Sequence, residues 1–343
     1  MLTRIKALLP GREGARGMLD YALAAGGVAA LAIVVMMILF DHEPAQFDVR
    51  ETTALRAATP AGSAPVRGAT TTATMIEIID RLLHKRGGYL SNDVMPPGLL
   101  MDNMPNWEWG ALVQTRDLAI ALRNDLSRSQ TQSTEDPNLV KADNKLRIDS
   151  ESWMFPAAER EYQDAADALT LYLQHISAPG AQRAQFYARA DNLRNWLAVV
   201  EKRLGDLSQR LSASVGQVRV NTDLAGDIGA EQSSQGPDVL VVQTPWLQID
   251  DVFYEARGAS WALLHFLRAV EQDFASVLDK RNALVSLRQV IRELESTQDL
   301  MWSPMVLNGE GFGFVANHSL VMASYISRAN AAIIDLRMLL ERG

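Results

Sequence analysis

Two carboxylates and two tryptophans are grouped in one stretch of the chain that shows no regular helical periodicity. Asp93 precedes Glu108 in this stretch, and Trp107 and Trp109 flank Glu108 on both sides. A pair of carboxyl groups can act as the acid and the base of glycoside hydrolysis, and indole rings offer flat apolar faces to a sugar. Asp93 and Glu108 are therefore candidate catalytic residues of an enzyme that acts on envelope glycan or lipid.

The same stretch supports two other interpretations. Tyr89, Asn92, Asp93, Trp107 and Trp109 could form a binding surface, because long irregular segments are uncommon unless they have a function or are tightly packed. Alternatively, the tryptophans fill the core and the polar side chains cap helix ends. We favour this last interpretation, since spacing along the sequence does not fix how far apart two carboxyl groups lie in space.

Other common kinds of chemistry have no signature in this chain. The five histidines are widely separated, and there is no cysteine. Zinc motifs, serine hydrolase motifs and phosphate-binding loops are absent, and the glycine-rich run at 308–313 follows no predicted strand, so we interpret it as a turn. We expect no metal site and no cofactor. The net charge of −8 also argues against nucleic acid as a partner.

The element that would position everything else is an apolar stretch near the N-terminus, residues 19–40. It has no charged residue from Tyr21 to Phe40, which is long enough for one helix across a hydrocarbon layer of ~30 Å. A secretory signal peptide is the alternative, but its apolar region is shorter and ends at a small-x-small cleavage site. The stretch here runs into a Phe-Asp-His-Glu-Pro sequence instead. We favour a permanent transmembrane anchor.

The charges on either side of the apolar stretch predict its orientation. The residues before it include four cations, and those after it include three anions. These are Arg4, Lys6, Arg12 and Arg16 on one side and Asp41, Glu43 and Asp48 on the other. Cationic flanks stay in the cytoplasm. We therefore expect a cytoplasmic N-terminus at 1–18, an inner-membrane anchor at 19–40, and the rest of the chain in the periplasm.

Beyond the anchor, the sequence divides into a linker and one large domain. Residues 41–69 mix Pro, Ala, Thr and Gly without periodicity, so we expect a linker that spaces the domain from the membrane. Residues 70–343 form the predicted periplasmic helical domain. Its long irregular parts are 87–109, where a helix is expected only from 111, the polar connection 131–150, and an insertion at 215–245 that is a loop or a small hairpin with a β-like run at 239–242.

Apolar residues recur at helical spacing through most of this domain. The clearest stripe alternates steps of four and three and consists of Leu193, Leu197, Val200, Leu204, Leu207 and Leu211. Such stripes pack against neighbouring helices in bundles or coiled coils. We expect an all-α fold, an elongated helical bundle in which the helix at 157–176 forms an antiparallel hairpin with the next one. The pattern leaves open whether 250–300 is one helix or two.

Four segments of the chain are long and unlike common sequence motifs. They cover residues 87–109, 127–137, 244–265 and 303–337. In these segments, and along nearly its whole length including the apolar stretch, the chain resembles a proteobacterial family of inner-membrane-anchored proteins that is catalogued only as a domain of unknown function. The resemblance implies a bacterial setting, and no catalytic residue can be carried over from it.

Together these observations favour a non-enzymatic protein of the bacterial cell envelope. We expect a scaffold or docking module, tethered by one helix, that meets a protein partner through the 87–109 stretch or an exposed apolar stripe. The Leu193 to Leu211 stripe could also mediate self-association. The alternative remains a periplasmic enzyme that uses Asp93 and Glu108 as its acid/base pair.

Overall fold

The computed structural model of the protein describes residues 12–57, 65–129, 134–178, 184–220, 239–303, 305–309 and 314–342. Helices dominate these residues, and the expected helical class is confirmed. The first six helices are α1 (Arg12–Phe40), α2 (Val49–Arg56), α3 (Ala69–His84), α4 (Asn103–Ala121), α5 (Pro137–Leu146) and α6 (Ala158–Ser177). The remaining five are α7 (Ala190–Ser212), α8 (Ile249–Asp273), α9 (Ala275–Lys280), α10 (Leu284–Ser296) and α11 (His318–Glu341). Two strands, β1 (Gln217–Val220) and β2 (Val239–Val242), pair antiparallel.

Helix α1 carries the apolar stretch. Its segment from Asp20 to Phe40 has 21 residues and a mean hydropathy of 2.7 in its most apolar window, and none of that window is buried by the rest of the protein. No other helix among the described residues is long and apolar enough to cross a membrane. By its length and composition, this helix could serve as a membrane anchor or as a signal sequence.

The centre of the domain is the crossing of α4 and α8. The two helices touch through their backbones because each has a glycine at the contact. A Cβ atom on Gly258 would lie 1.9 Å from the carbonyl oxygen of Trp107, and one on Gly110 would lie 2.0 Å from the carbonyl oxygen of Glu255. The buried rings of Trp107 and Trp261 pack beside this crossing with their centroids 5.1 Å apart.

The other helices surround this pair. Helix α7 packs mainly against α11, and α11 also packs against α10. Helix α6 packs against α3 and α5 rather than pairing with α7. The expected α6–α7 hairpin is therefore wrong, because the apolar stripes of the two helices face different neighbours. The Leu193 to Leu211 stripe is buried within the same chain.

Helix α3 depends on a distant residue for its N-terminal cap. Its own N-cap position is Gly68, which has no side chain to accept a hydrogen bond. The buried carboxylate of Asp273, at the end of α8, accepts hydrogen bonds of 2.7 Å from both the backbone N–H and the hydroxyl of Thr71. A carboxylate is well placed there because helix N-termini carry partial positive charge. This contact ties the start of α3 to the end of α8.

The segment that we expected to be a linker is largely part of the domain. Residues 41–48 form no regular secondary structure, and α2 packs against α3 and α8 with Val49, Thr52 and Thr53 buried. Helix α2 begins where the Asp48 carboxylate accepts hydrogen bonds from the backbone N–H groups of Arg50 and Glu51. Residues 58–64 of the expected linker lie outside the described residues.

Three other element boundaries differ from the sequence predictions. Helix α4 begins at Asn103, not at 111, because the Asp102 carboxylate accepts a hydrogen bond from the Asn103 N–H and Pro105 is tolerated in a first helical turn. The expected connection at 131–150 contains α5, which Asp136 caps. Residues 250–300 hold three helices, and Asn282, with φ of 52°, lies between the last two.

The expected insertion at 215–245 contains a β-hairpin. The β-like run at 239–242 is strand β2, which is the edge partner of β1. Residues 221–238 between the two strands lie outside the described residues, as do 310–313 of the glycine-rich run and most of the basic N-terminus. The two strands interrupt the series of helices only between α7 and α8.

Candidate functional site

The structure places Glu108 inside the protein. Its side chain has no exposed surface, and its carboxylate forms an ion pair with the buried Lys85 ammonium. The same carboxylate accepts hydrogen bonds of 2.9 Å from the backbone N–H groups of Leu90 and Ser91 and another from the Ser91 hydroxyl. Burial raises the pKa of Glu108, and these donors oppose that effect. Glu108 thus holds the segment that follows α3 against α4.

Tyr89 and Asn92 fasten the same segment to α6. The buried ring of Tyr89 meets the Tyr162 ring edge to face, with centroids 5.4 Å apart. The buried amide of Asn92 donates a hydrogen bond of 2.6 Å to the Glu159 carboxylate and one of 3.0 Å to the Ser152 carbonyl. Both side chains are therefore used inside the fold and offer little surface to a ligand.

The two tryptophans have different surroundings. Trp107 is fully buried against Trp261, as expected for a ring that fills the core. Trp109 is 37% exposed, and the guanidinium of Arg116 lies over its ring at 5.2 Å from the centroid. Only Trp109 of this pair can meet another molecule without rearrangement of the core.

Asp93 lies in the turn that follows Asn92, near enough to Lys85 for the lysine's charge to lower its pKa in part. Its carboxylate sits against Gly98, where a Cβ atom would be only 2.0 Å from Asp93 Oδ2. Burial raises the pKa of Asp93, and the nearby negative charge of Glu159 adds to the effect. The oxygens of Glu108 already have protein donors, so the surroundings of these two carboxylates fit structural roles better than proton transfer to a bound sugar.

A second group of contacts lies where the apolar helix meets the domain, and we call residues 40–47 the anchor junction. The Glu43 carboxylate accepts two hydrogen bonds of 2.7 Å from the Arg257 guanidinium. The remaining Arg257 nitrogen donates to the carbonyl oxygens of Thr297 and Asp299, at 3.1 Å each. Arg257 is almost fully buried, so one side chain of α8 joins the anchor junction to the end of α10.

Both ends of the anchor junction are packed on the domain. The ring of Phe40 lies against Gly87, whose φ of +88° and missing side chain make this contact possible, since a Cβ there would be 2.7 Å from the ring. At the other end, the ring of Phe47 stacks on His265 with centroids 4.0 Å apart. The Phe47 N–H also donates a hydrogen bond of 3.1 Å to His265 Nε2.

The hydrogen bonds of His265 define its protonation state. Its Nδ1 lies 2.7 Å from the Trp261 carbonyl oxygen, which can only accept, so Nδ1 carries the proton and Nε2 accepts from Phe47. Burial lowers the pKa of His265 to about 3. The ring is thus a neutral structural link between α8 and the anchor junction.

An apolar pocket of about 410 Å³ opens beside Arg257. Its lining includes Trp302, His318, Met322 and Tyr325. His318 is used to hold the pocket rim, because its Nδ1 accepts a hydrogen bond of 3.0 Å from the Leu307 N–H. Each of the three guanidinium nitrogens of Arg257 already donates a hydrogen bond within the protein. The pocket therefore offers a ligand mainly apolar surface.

Few sequence signals mark the residues that make these buried polar contacts. Arg257 lies among apolar positions of α8, and Lys85 and Glu108 are far apart in the chain. Gly87 and His265 belong to no recognisable sequence motif. Among the described residues, no group of three or more His, Asp or Glu side chains could hold a metal ion. The buried polar contacts of the domain are concentrated at two places. These are the anchor junction and the contacts that hold residues 87–102 against α4 and α6.

The comparisons with known proteins agree with the bacterial setting expected for the chain. They found no match among curated proteins and none among solved structures. A family model described as "Uncharacterized protein conserved in bacteria (DUF2333)" matches residues 15–343, which is nearly the whole chain. The expected resemblance to a bacterial family without an assigned activity is thereby confirmed. The chain belongs to this uncharacterized bacterial family.

Proposed function

We propose that the protein is a non-catalytic component of the bacterial cell envelope, anchored in the inner membrane by α1. In this proposal the N-terminus lies in the cytoplasm, the helices from α2 to α11 form a bundle in the periplasm, and that bundle is a docking platform for an envelope protein. The defining property of this platform is that it packs directly on the end of α1, with no flexible linker between them.

The observation that carries the proposal is that the apolar window of α1 has no protein cover, whereas the last residue of α1 packs on the domain. The window that could span a membrane is not buried by any other part of the protein. An apolar helix of this length requires an apolar environment, and a bilayer supplies one. Its last residue, Phe40, packs against Gly87 of the domain.

The anchor junction also supports retention of α1 over its removal as a signal sequence. Signal peptides end at an accessible site with small residues. Here the residues that follow Phe40 are large or charged, and Glu43 is bound by Arg257. The cations before α1 and the anions after it favour the orientation with the domain in the periplasm.

A reporter experiment tests the anchor and the orientation. Alkaline phosphatase fused after residue 342 should be active in intact cells, and a green fluorescent protein fused at the same place should be dark. The matching N-terminal fusions should give the opposite result. A bright C-terminal fluorescent fusion, or purified protein whose N-terminus begins after Phe40 by mass spectrometry, would refute the proposed topology.

The docking role has its own test. Trp109 is the candidate binding residue with an exposed ring, so a photo-crosslinking amino acid at position 109 should capture one recurring envelope protein in living cells. Adducts with a second copy of the chain would show self-association instead. If neither adduct forms, while the same probe at other exposed positions does capture a protein, the 87–109 segment is not the docking surface.

The alternative is an enzyme acting on envelope glycan or lipid with Asp93 and Glu108. The closed surroundings of Glu108 give it less support. It predicts that Glu108→Gln and Asp93→Asn abolish an activity while the fold persists. The scaffold proposal predicts that Asp93→Asn has little effect on any cellular phenotype of the protein.

A further inference from the structure

We infer that two uncharged segments of the domain lie in the surface of the lipid bilayer beside the anchor. They are residues 94–101 and the described residues of 300–307, which are 300–303 and 305–307. The inference rests on the proposed anchoring of α1 and adds a second attachment to it. The two segments come from distant parts of the chain. Contacts with the anchor junction hold the chain on both sides of the first segment, and the chain just before the second, close to the end of α1.

The chain on both sides of the first segment contacts the residues that end the span. On its N-terminal side, Gly87 packs against the ring of Phe40. On its C-terminal side, the Asn103 side chain lies near enough to the Asp41 carboxylate to oppose the rise in pKa that burial causes there. Between them the chain folds back on itself, since Asp93 lies directly against Gly98. The segment therefore lies between two points of the chain that contact the end of α1.

The second segment is held to the same place through Arg257. The guanidinium that binds Glu43 also donates to the carbonyl oxygens of Thr297 and Asp299. Leu300 directly follows Asp299. The second segment therefore starts beside Arg257, and the Glu43 that Arg257 binds lies three positions beyond Phe40. Its far end is fixed to the start of α11, where the His318 N–H donates to the Leu307 carbonyl at 2.8 Å.

Both segments have the composition of residues that enter a bilayer interface. Neither contains a charged residue, and the charges lie just outside, at Asp93, Asp102 and Asp299. Met95 is 71% exposed and Trp302 is 91% exposed. The other largely exposed apolar side chains are Val94, Leu99, Leu100, Leu300 and Met305. Tryptophan is enriched at membrane interfaces because its ring is apolar and its N–H is polar.

The position of these segments favours lipid over a protein as the occupant. If α1 spans the membrane, Phe40 lies at the boundary between acyl chains and head groups. Apolar side chains that surround this boundary meet lipid before they can meet a protein partner. Interfacial segments bury their apolar side chains to a depth of about 5–10 Å. Lipid would then cover side chains that the protein itself leaves in water.

The absence of cysteine makes a direct test possible. Single cysteines are introduced as Met95→Cys, Trp302→Cys, Val285→Cys and Leu31→Cys and labelled with the fluorophore NBD. Val285 is the matched control, because it is apolar and 73% exposed but lies at the far end of α10 from Thr297. The full chain is reconstituted in vesicles of phosphatidylcholine and phosphatidylglycerol, with or without a lipid that carries a nitroxide on its acyl chain.

We expect the nitroxide to quench the labels at 95 and 302 at least about threefold more than the label at 285, because only the first two reach the acyl boundary. The label at 31 reports on the anchor. If position 31 is quenched and positions 95 and 302 are no more quenched than 285, the inference is overturned and the anchor stands. If position 31 is not quenched, both the inference and the proposed anchoring of α1 fail.

Iodide added to the aqueous phase distinguishes a protein cover from lipid. Labels that lipid covers should be protected from iodide and quenched by the nitroxide lipid. Labels at 95 and 302 that are protected from iodide but not quenched by the nitroxide lipid would be covered by a second copy of the chain, which would overturn the inference. Both side chains are mostly exposed, so neither cysteine disturbs the core.

Discussion

Glu43 and Arg257 form a two-pronged ion pair, with both hydrogen bonds at 2.7 Å, just beyond the end of the apolar helix. The pair lies mostly out of solvent, with 10% of the Arg257 side chain and 21% of the Glu43 side chain exposed. Planar guanidinium and carboxylate groups in this arrangement have a defined mutual orientation. The pair therefore fastens the anchor junction to α8 three residues beyond the end of α1.

Removal of the Arg257 side chain should destabilise the protein strongly. The substitution Arg257→Ala leaves the Glu43 carboxylate and the carbonyl oxygens of Thr297 and Asp299 without their donors. We expect a loss of about 3–5 kcal/mol in the free energy of unfolding, as for other broken buried pairs. Urea denaturation of the detergent-solubilised protein, followed by circular dichroism, measures this loss.

An exposed pair provides the control for that experiment. Arg288 contacts Glu271 at 2.8 Å, but its side chain is largely in solvent. Arg288→Ala should cost less than about 1 kcal/mol. Equal losses for the two arginine variants would show that the Glu43–Arg257 pair is not a special constraint on the junction.

The glycines at the crossing of α4 and α8 should tolerate no side chain. Gly258→Ala places a methyl group 1.9 Å from the Trp107 carbonyl oxygen, so the helices must separate. We expect a loss of at least about 3 kcal/mol, at the upper end of overpacking effects. In contrast, Gly205→Ala on α7 meets only Asn330, at 3.6 Å. It should leave stability unchanged or raise it by about 1 kcal/mol through helix propensity.

Thermal melts of these two variants decide between a close helix contact and a loose one. The melting temperature of the Gly258→Ala protein should drop well below that of the parent, whereas Gly205→Ala should melt at or slightly above it. A Gly258→Ala protein with the parent's stability would mean that α4 and α8 do not touch as described.

The buried pair of Lys85 and Glu108 predicts a rescue experiment. Lys85→Met leaves the Glu108 carboxylate buried without a cation, which should cost about 3–5 kcal/mol. Adding Glu108→Gln removes the unpaired charge and keeps an acceptor for the Leu90 N–H. The double variant should therefore be more stable than the Lys85→Met variant in the same denaturation assay. A double variant that is less stable than the single one would contradict the pairing.

His265 should make the fold sensitive to acid. Burial lowers its pKa in the folded protein to about 3, whereas an unfolded histidine has a pKa of about 6.5. Between these values the unfolded chain binds a proton that the folded chain does not bind, so stability falls as the pH falls. We expect a contribution of up to about 1.4 kcal/mol per pH unit from about pH 6.5 downwards.

A comparison of two histidine variants isolates this contribution. His265→Asn should lower the stability at pH 7 and flatten its dependence on pH between about 3 and 6.5. His84→Gln serves as the control for the loss of a histidine whose side chain is mostly exposed. An unchanged slope in the His265→Asn protein would assign the acid sensitivity to other groups.

The sequence was informative where one periodic pattern dominates. The apolar run to Phe40 and the stripe from Leu193 to Leu211 predicted helices that the structure contains. The prediction that Trp107 fills the core was also correct, because a large apolar ring next to helical repeats has few other places to go. These features depend on local composition, which a single sequence displays directly.

The sequence was uninformative where a structure depends on distant partners. Helix α2 has little apolar character of its own, and its position depends on packing against α3 and α8. Helix α3 is capped by Asp273, which lies about two hundred positions further along the chain. Arg257 has no local sign that its partner is Glu43. Such pairs become visible only when the fold brings them together.

The firm attachment at Phe40 and Glu43 has a consequence for how the domain can search its surroundings. A domain on a slack tether sweeps a volume that grows with the length of the tether. With α1 in a bilayer, this domain instead keeps one height and one tilt above the lipid. A molecule that binds it must come within that fixed layer, and a force on the domain would be transmitted directly to α1.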